Sequence, residues 1–202
     1  MRNECLFFMP PLNTIINADC LEVMKGMPDK CIDLVLTDPP FGMKFVSGYR
    51  KEKYEKIVND DNLDWLPECI KELSRILKEN SHAYLFCSFH NVDLFKQEVE
   101  KHFELKNILI WEKNNTGMGD LFGDYAPKYE MILFCSNGDR KLNGGRDANI
   151  LKFQRTQNTF HPTEKPLELI KFLVKKSSEE NQTIFALTHS SVPAPPPLPV
   201  SS

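Results

Sequence analysis

The residues best equipped for chemistry are Thr37-Asp38-Pro39-Pro40-Phe41-Gly42, which follow directly on the apolar run Leu34-Val35-Leu36. A carboxylate such as Asp38 is an acceptor with two oxygens. The prolines behind it fix φ and stiffen the turn, and Phe41 adds a flat apolar face for a planar group. The same residues also read as a plain strand stop, because Asp-Pro-Pro ends extended structure well. The surrounding elements have to decide between the two readings.

Short runs rich in β-branched and aromatic residues occur at residues 33–37, 82–87, 107–111, 129–135 and 182–185. Their nearly continuous hydrophobicity predicts strands buried on both faces, as in a parallel sheet covered by helices. Between the first two runs, Leu66, Ile70, Leu73 and Leu77 keep the spacing of an amphipathic helix. Val92, Phe95 and Val99 mark a second helix. Leu167, Ile170, Leu173 and Val174 mark a third, with Thr163 placed to cap it and Pro166 in its first turn. Strands alternating with helices predict a doubly wound α/β fold, whose ligands sit beyond the carboxyl ends of the strands, where Asp38 falls. Two long polar stretches, 43–59 and 137–160, interrupt the alternation, and loops of that length are usually functional or mobile.

The chain has 202 residues, of which 41% are hydrophobic, enough for one domain with a real core. A net charge of −3 gives no global nucleic-acid signature, but basic residues cluster locally. Lys44, Arg50, Lys51, Lys53 and Lys56 form one group; Arg140, Lys141, Arg146, Lys152 and Arg155 form another. Each group reads either as a phosphate-contacting stretch or as a solvated loop. The six cysteines show no CxxC pair or Cys/His cluster, so no metal site and no disulfide is expected, as in a reducing cytoplasmic compartment. No apolar run near Met1 is long enough for a signal peptide or a membrane span. Gly117, Gly119 and Gly123 lack the spacing of a dinucleotide fingerprint.

Taken together, the segments resemble the β-group (permuted) DNA amino-methyltransferases, whose catalytic motif is Asp/Ser-Pro-Pro-Tyr/Phe at the end of a strand. Four further segments agree in the family's order: Asn17-Ala18-Asp19-Cys20-Leu21, Phe86-Cys87-Ser88, Trp111-Glu112-Lys113-Asn114-Asn115 and His161-Pro162-Thr163-Glu164-Lys165-Pro166. The resemblance spans residues 13–185. It implies a Rossmann-like sheet, circularly permuted, with helices on both faces. It also implies methyl transfer from S-adenosylmethionine to the N6 amine of an adenine flipped out of double-stranded DNA, with cytosine N4 as the neighbouring alternative. By resemblance Asp38, Pro39, Pro40 and Phe41 are catalytic, and Asp19, Cys20, Asp38, Thr163 and Lys165 meet the cofactor. Asp19 and Cys20 read equally as a helix cap. Lys113, Asn114 and Asn115, with Arg140, Lys141 and Arg146 in a candidate target-recognition stretch at 137–160, are candidate DNA contacts. The family further implies a bacterial or phage-encoded cytoplasmic protein, with a second copy of itself or a cognate restriction enzyme as possible partners.

One departure stands out. After the HPTEKP helix the family has a strand ending in DPFxGSG, the glycine turn that holds the cofactor. Here Gln182-Thr183-Ile184-Phe185 begins such a strand, and a proline-rich segment follows. Back-translated with the wobble bases chosen to suit and read one frame over, residues 186–198 spell LDPFFGSGTTAV, the missing motif, and the other two bases of nearly every new codon are forced by the residues present. The expectation is therefore a methyltransferase domain over 1–185, incomplete at its C-terminal side, followed by an out-of-frame tail at 186–202. Such a chain is a weak or inactive catalyst as translated, and a non-catalytic DNA-binding fragment is the competing reading.

Overall fold

The computed structural model describes residues 8–40, 62–117, 122–156 and 164–188. The elements, in chain order, are α1 (Cys20–Gly26), β1 (Ile32–Asp38), α2 (Leu66–Ile76), β2 (Leu77–Cys87), α3 (Val92–Val99), β3 (Glu104–Glu112), β4 (Tyr129–Asn137), β5 (Ile150–Lys152), α4 (Leu167–Ser177) and β6 (Ile184–Thr188). The strands form a single sheet in the order β5-β3-β4-β2-β1-β6.

Both faces of the sheet are covered, as the apolar runs predict. Side chains alternate along each strand, so Val35, Ala83, Leu85, Leu133 and Cys135 pack with Met24, Ile70, Leu73 and Phe95 of α1–α3. Leu34, Leu36, Tyr84, Phe86, Ile132 and Phe134 face the other way and pack on Leu169 and Leu173 of α4. The sheet is not wholly parallel, however. β1 runs parallel to β2 and β6, and β3 parallel to β5, but β4 is antiparallel to both of its neighbours. Among the described residues no helix stands between β3 and β4, in keeping with antiparallel neighbours, since parallel ones need a crossover connection.

Three elements differ from the sequence expectation. Leu77 opens β2 instead of closing α2, so helix passes into strand without a loop. β5 is a strand inside the 137–160 stretch, three residues long and too short to show a pattern. α1 is a helix of seven residues whose N-cap is Asp19, with an Oδ1 that accepts from the Leu21 amide at 2.8 Å. At its other end, Arg75 of α2 donates to the carbonyls of Met24 (2.6 Å) and Met27 (2.8 Å) and pairs with Asp29 and Glu72. That clasp runs α1 alongside α2, with Cys20 beside Cys69, and so turns Asp19 toward the end of the sheet where β1 finishes.

A polar cluster lies under α4. His82 Nε2 donates to the Arg140 carbonyl at 3.1 Å, leaving Nδ1 to accept from Ser177 Oγ at 2.8 Å, while Tyr84 Oη donates to the same Oγ at 2.6 Å. Burial pushes the His82 imidazole down to about 4 from an ordinary 6.5. The unfolded chain therefore takes up the proton first, and stability that is full above pH 6.5 falls as the pH drops toward 4. Thermal melts across that window should show the unfolding midpoint falling with pH, and His82→Gln should flatten the slope; an unchanged slope in the variant would contradict the assignment.

Candidate active site

The site is built where β1 ends. Asp38 is the last residue of the strand, with Thr37 and Pro39 buried on either side. Its side chain is 13% exposed, and Oδ2 accepts from Lys165 Nζ at 2.8 Å. Lys165 lies just before α4 and is itself 9% exposed. Its ammonium also pairs with Glu130 Oε2 at 3.3 Å and stands 5.2 Å over the Phe86 ring. Glu130 in turn holds Lys113 Nζ at 2.7 Å through Oε1, and Lys113 stands 5.1 Å over Trp111. Two carboxylates and two ammonium groups thus join the ends of β1, β3 and β4 to the entry of α4.

Burial and pairing pull these groups in opposite directions. Burial alone would push the Lys165 ammonium down, yet Asp38 and Glu130 outweigh it and hold the group above its ordinary value. Burial would likewise push the Glu130 carboxyl up, and Lys165 and Lys113 hold it below. Both groups therefore stay charged across the physiological range within the network. Its chemical effect is to fix one oxygen of Asp38, so that the carboxylate cannot swing. Such a fixed acceptor suits a ligand that offers N–H groups at the end of the sheet.

The predicted residues do not all come together. Asp38, Pro39, Pro40, Lys113 and Lys165 come together here, although Lys113 and Lys165 are committed to carboxylates instead of facing solvent. Asn114 and Asn115 are exposed at the same end, and Asn114 Oδ1 accepts from the Arg155 amide at 2.9 Å, which brings Arg155 to the site as well. Phe41, Thr163 and the 43–59 stretch lie outside the described residues. Asp19 caps α1, and a hydrogen bond with Cys69 brings the Cys20 thiol down to about 7.

Arg140, Lys141 and Arg146 are not brought to this end. Gly138, at φ +94°, turns the chain beneath β2, where a Cβ would stand 2.7 Å from Asn80 Oδ1. Residues 139–147 then run beside the C-terminal end of α4, where Asn143 donates to the Lys175 and Ser178 carbonyls and Lys176 pairs with Asp147. Arg140 is 14% exposed and lies 3.7 Å from Glu179. The residue that sequence reasoning missed is Glu130. Its signal was present, as the one charged residue within the otherwise apolar start of Tyr129-Glu130-Met131-Ile132-Leu133.

Comparisons with known proteins bear on the fold and the family. A family model described as DNA methylase (N6_N4_Mtase) matches residues 32–185. The DNA adenine methyltransferase YhdJ of Escherichia coli is 26% identical over 223 residues, covering 91% of this chain and 74% of that protein. The type II methyltransferase M2.MboI of Moraxella bovis is 26% identical over 199 residues, covering 84% and 72%. Among solved structures, the M1.HpyAVI–SAM complex superposes with a TM-score of 0.62 at 20% identity, over 85% of this chain and 80% of the other. The PvuII cytosine-N4-specific DNA methyltransferase superposes with a TM-score of 0.63 at 15% identity, over 85% and 79%. The fold is therefore the Rossmann-like sheet of S-adenosylmethionine-dependent methyltransferases.

Removing Lys165 leaves two buried carboxylates facing each other. Lys165→Met should lower the unfolding free energy by about 3–5 kcal/mol, the usual cost of stranding a buried charge. Adding Glu130→Gln should recover part of that loss. Denaturant unfolding of the single and double variants checks this, and strictly additive losses would show that the groups are not coupled.

Proposed function

Because this chain belongs to the N6/N4 DNA methylase family, we propose that it methylates the exocyclic amine of a base flipped out of double-stranded DNA, with adenine N6 as its target. The observation that carries this reading is the Asp38 carboxylate, fixed by Lys165 at the end of β1. An exocyclic amine is a poor nucleophile because its lone pair is delocalised into the ring. Two acceptors aimed at its hydrogens favour a tetrahedral nitrogen and release the lone pair. Asp38 is one acceptor, and by resemblance the Pro39 carbonyl is the other, on a turn that the prolines keep rigid. Phe41 would supply the face on which the flipped base stacks. No covalent enzyme intermediate is needed, so the cysteines have no part as nucleophiles.

S-adenosylmethionine, when bound, supplies an activated methyl on a cationic sulfur. The residues at hand fit such a group: Asp19 sits at the start of a helix turned toward the site, and Asp38 adds a second carboxylate. By resemblance Cys20, Thr163 and Lys165 complete the set. The pairing of Lys165 with Asp38 gives it the further task of orienting the acceptor. Asp at position 38 favours adenine, and the kinship with a DNA adenine methyltransferase supports it. Cytosine N4 is the second reading, since its amine has the same delocalised lone pair. The DNA-facing residues proposed from their position are Asn114, Asn115 and Arg155, which share the Asp38 end. The order of segments, with the Asp38 strand early and β6 paired beside it late, supports the permuted arrangement.

The tail belongs to the same reading. β6 runs parallel to β1 with Thr188 level with Asp38, so the strand ends beside the site. In the family a glycine turn occupies that place. The shifted reading of residues 186–198 supports its loss by a change of frame, with a large fall in activity. The test uses this chain and a version with the frame restored after Phe185, each with its Asp38→Ala partner. Tritiated methyl transfer to mixed-sequence duplex DNA should be near background for the chain as printed and clear for the restored one. Asp38→Ala in the restored protein should cost roughly 10²–10³ in rate, by analogy with removing one polarising group from a preorganised site. Near-normal turnover of that variant would rule out the role of Asp38, and equal activity of the two parent proteins would rule out the frame argument.

A further inference from the structure

Large rings left in water are informative when they gather in one place. Among the described residues the exposed Phe and Tyr side chains are Phe8 (60%), Phe89 (50%), Phe122 (99%), Tyr125 (95%) and Tyr129 (42%). All but Phe8 stand at the end of the sheet where Asp38 lies. Phe89 lies two residues past the end of β2, with its ring tilted against that of His90 at 3.8 Å between centroids. Tyr129 opens β4, next to Glu130 of the ionic network. Phe122 and Tyr125 are carried by the connection from β3 to β4. Its two legs are tied by the Lys113 amide to the Lys128 carbonyl at 2.8 Å and by the Gly117 amide to the Pro127 carbonyl at 2.7 Å. The rings are therefore carried by a connection braced at its base, at the same end of the sheet as Asp38.

Nearly all of the Phe122 and Tyr125 side-chain surface faces solvent. Cations stand beside it. Lys128 and Lys152 flank Glu112 at the foot of the hairpin, 47% and 78% exposed, and Arg155 adjoins Asn114. Aromatic faces beside cations match unstacked nucleotides, because every base has a π-face and every link a phosphate. A closed duplex offers no free base face to such rings, whereas a strand opened around an extruded base does.

We propose that Phe122 and Tyr125, with Phe89 and Tyr129 at their base, form a stacking surface for the bases left unstacked around the target, so that the preferred partner is locally opened DNA. This rests on the reading that the chain acts on DNA, and the experiment separates the two. Fluorescence anisotropy of the full chain is measured with a closed duplex and with the same duplex carrying a short unpaired bubble. The wild type should bind the bubble more tightly. Phe122→Ala/Tyr125→Ala should lose roughly tenfold or more of that affinity, as expected for lost base–aromatic stacking, while duplex binding changes less. Phe122→Trp/Tyr125→Phe should retain it. Both rings are exposed, so circular dichroism and the unfolding midpoint should match the wild type. Equal bubble affinity in the alanine variant overturns the stacking role while leaving the DNA reading in place. Binding of neither DNA by the wild type overturns both. A dimer that dissociates in the alanine variant, with unchanged DNA affinity, would make the rings a protein interface and overturn the proposal.

Discussion

The ion pair between Lys165 and Asp38 spans 127 positions of sequence and closes the site. It joins the end of β1 to the entry of α4, the helix that packs on one face of the sheet, and it does so where both side chains are largely removed from water. An isolated buried carboxylate is costly, and even a buried pair often gains little net stability. What the pair supplies is a fixed direction. Every element around it serves that geometry: Pro39 and Pro40 stiffen the turn, Phe86 floors the ammonium, and Glu130 with Lys113 balances the charge.

The antiparallel β4 follows from the same constraint. For Glu130 to reach Lys165 it must sit at the end of the sheet where β1 and β2 finish, and only a strand running the other way begins there. The connection from β3 to β4 then lies at that same end, along with the rings it carries. Chemistry and the candidate DNA face thus share one end of the sheet. The opposite end holds the His82–Tyr84–Ser177 cluster, which ties β2 to α4 and to the 138–140 turn.

The apolar runs and helical spacings located most strands and three of the helices, because burial on both faces of a sheet leaves a direct mark on composition. Strand direction leaves none: Tyr129-Glu130-Met131-Ile132-Leu133 reads the same whether β4 is parallel or not. α1 is too short for periodicity, although Asp19 was recognisable as a cap. Asp38 and Lys165 were legible because they sit in recognisable motifs, yet their pairing was not, since nothing local links two residues so far apart. Arg140, Lys141 and Arg146 show the converse. A cluster of positive charge is visible in sequence, but the end of the sheet it occupies depends on the turn at Gly138.

The central claim is that the ionic hold on Asp38, more than the mere presence of a carboxylate, makes the site competent. Single-turnover methyl transfer by the frame-restored protein carrying Lys165→Met and Glu130→Gln together tests it most directly, because the double change keeps the site's net charge while releasing Asp38. With cofactor and DNA saturating, the rate should fall on the order of 10²-fold, the cost of a reacting group misplaced by about an ångström. An unchanged rate in a folded, ligand-bound double variant would contradict the account.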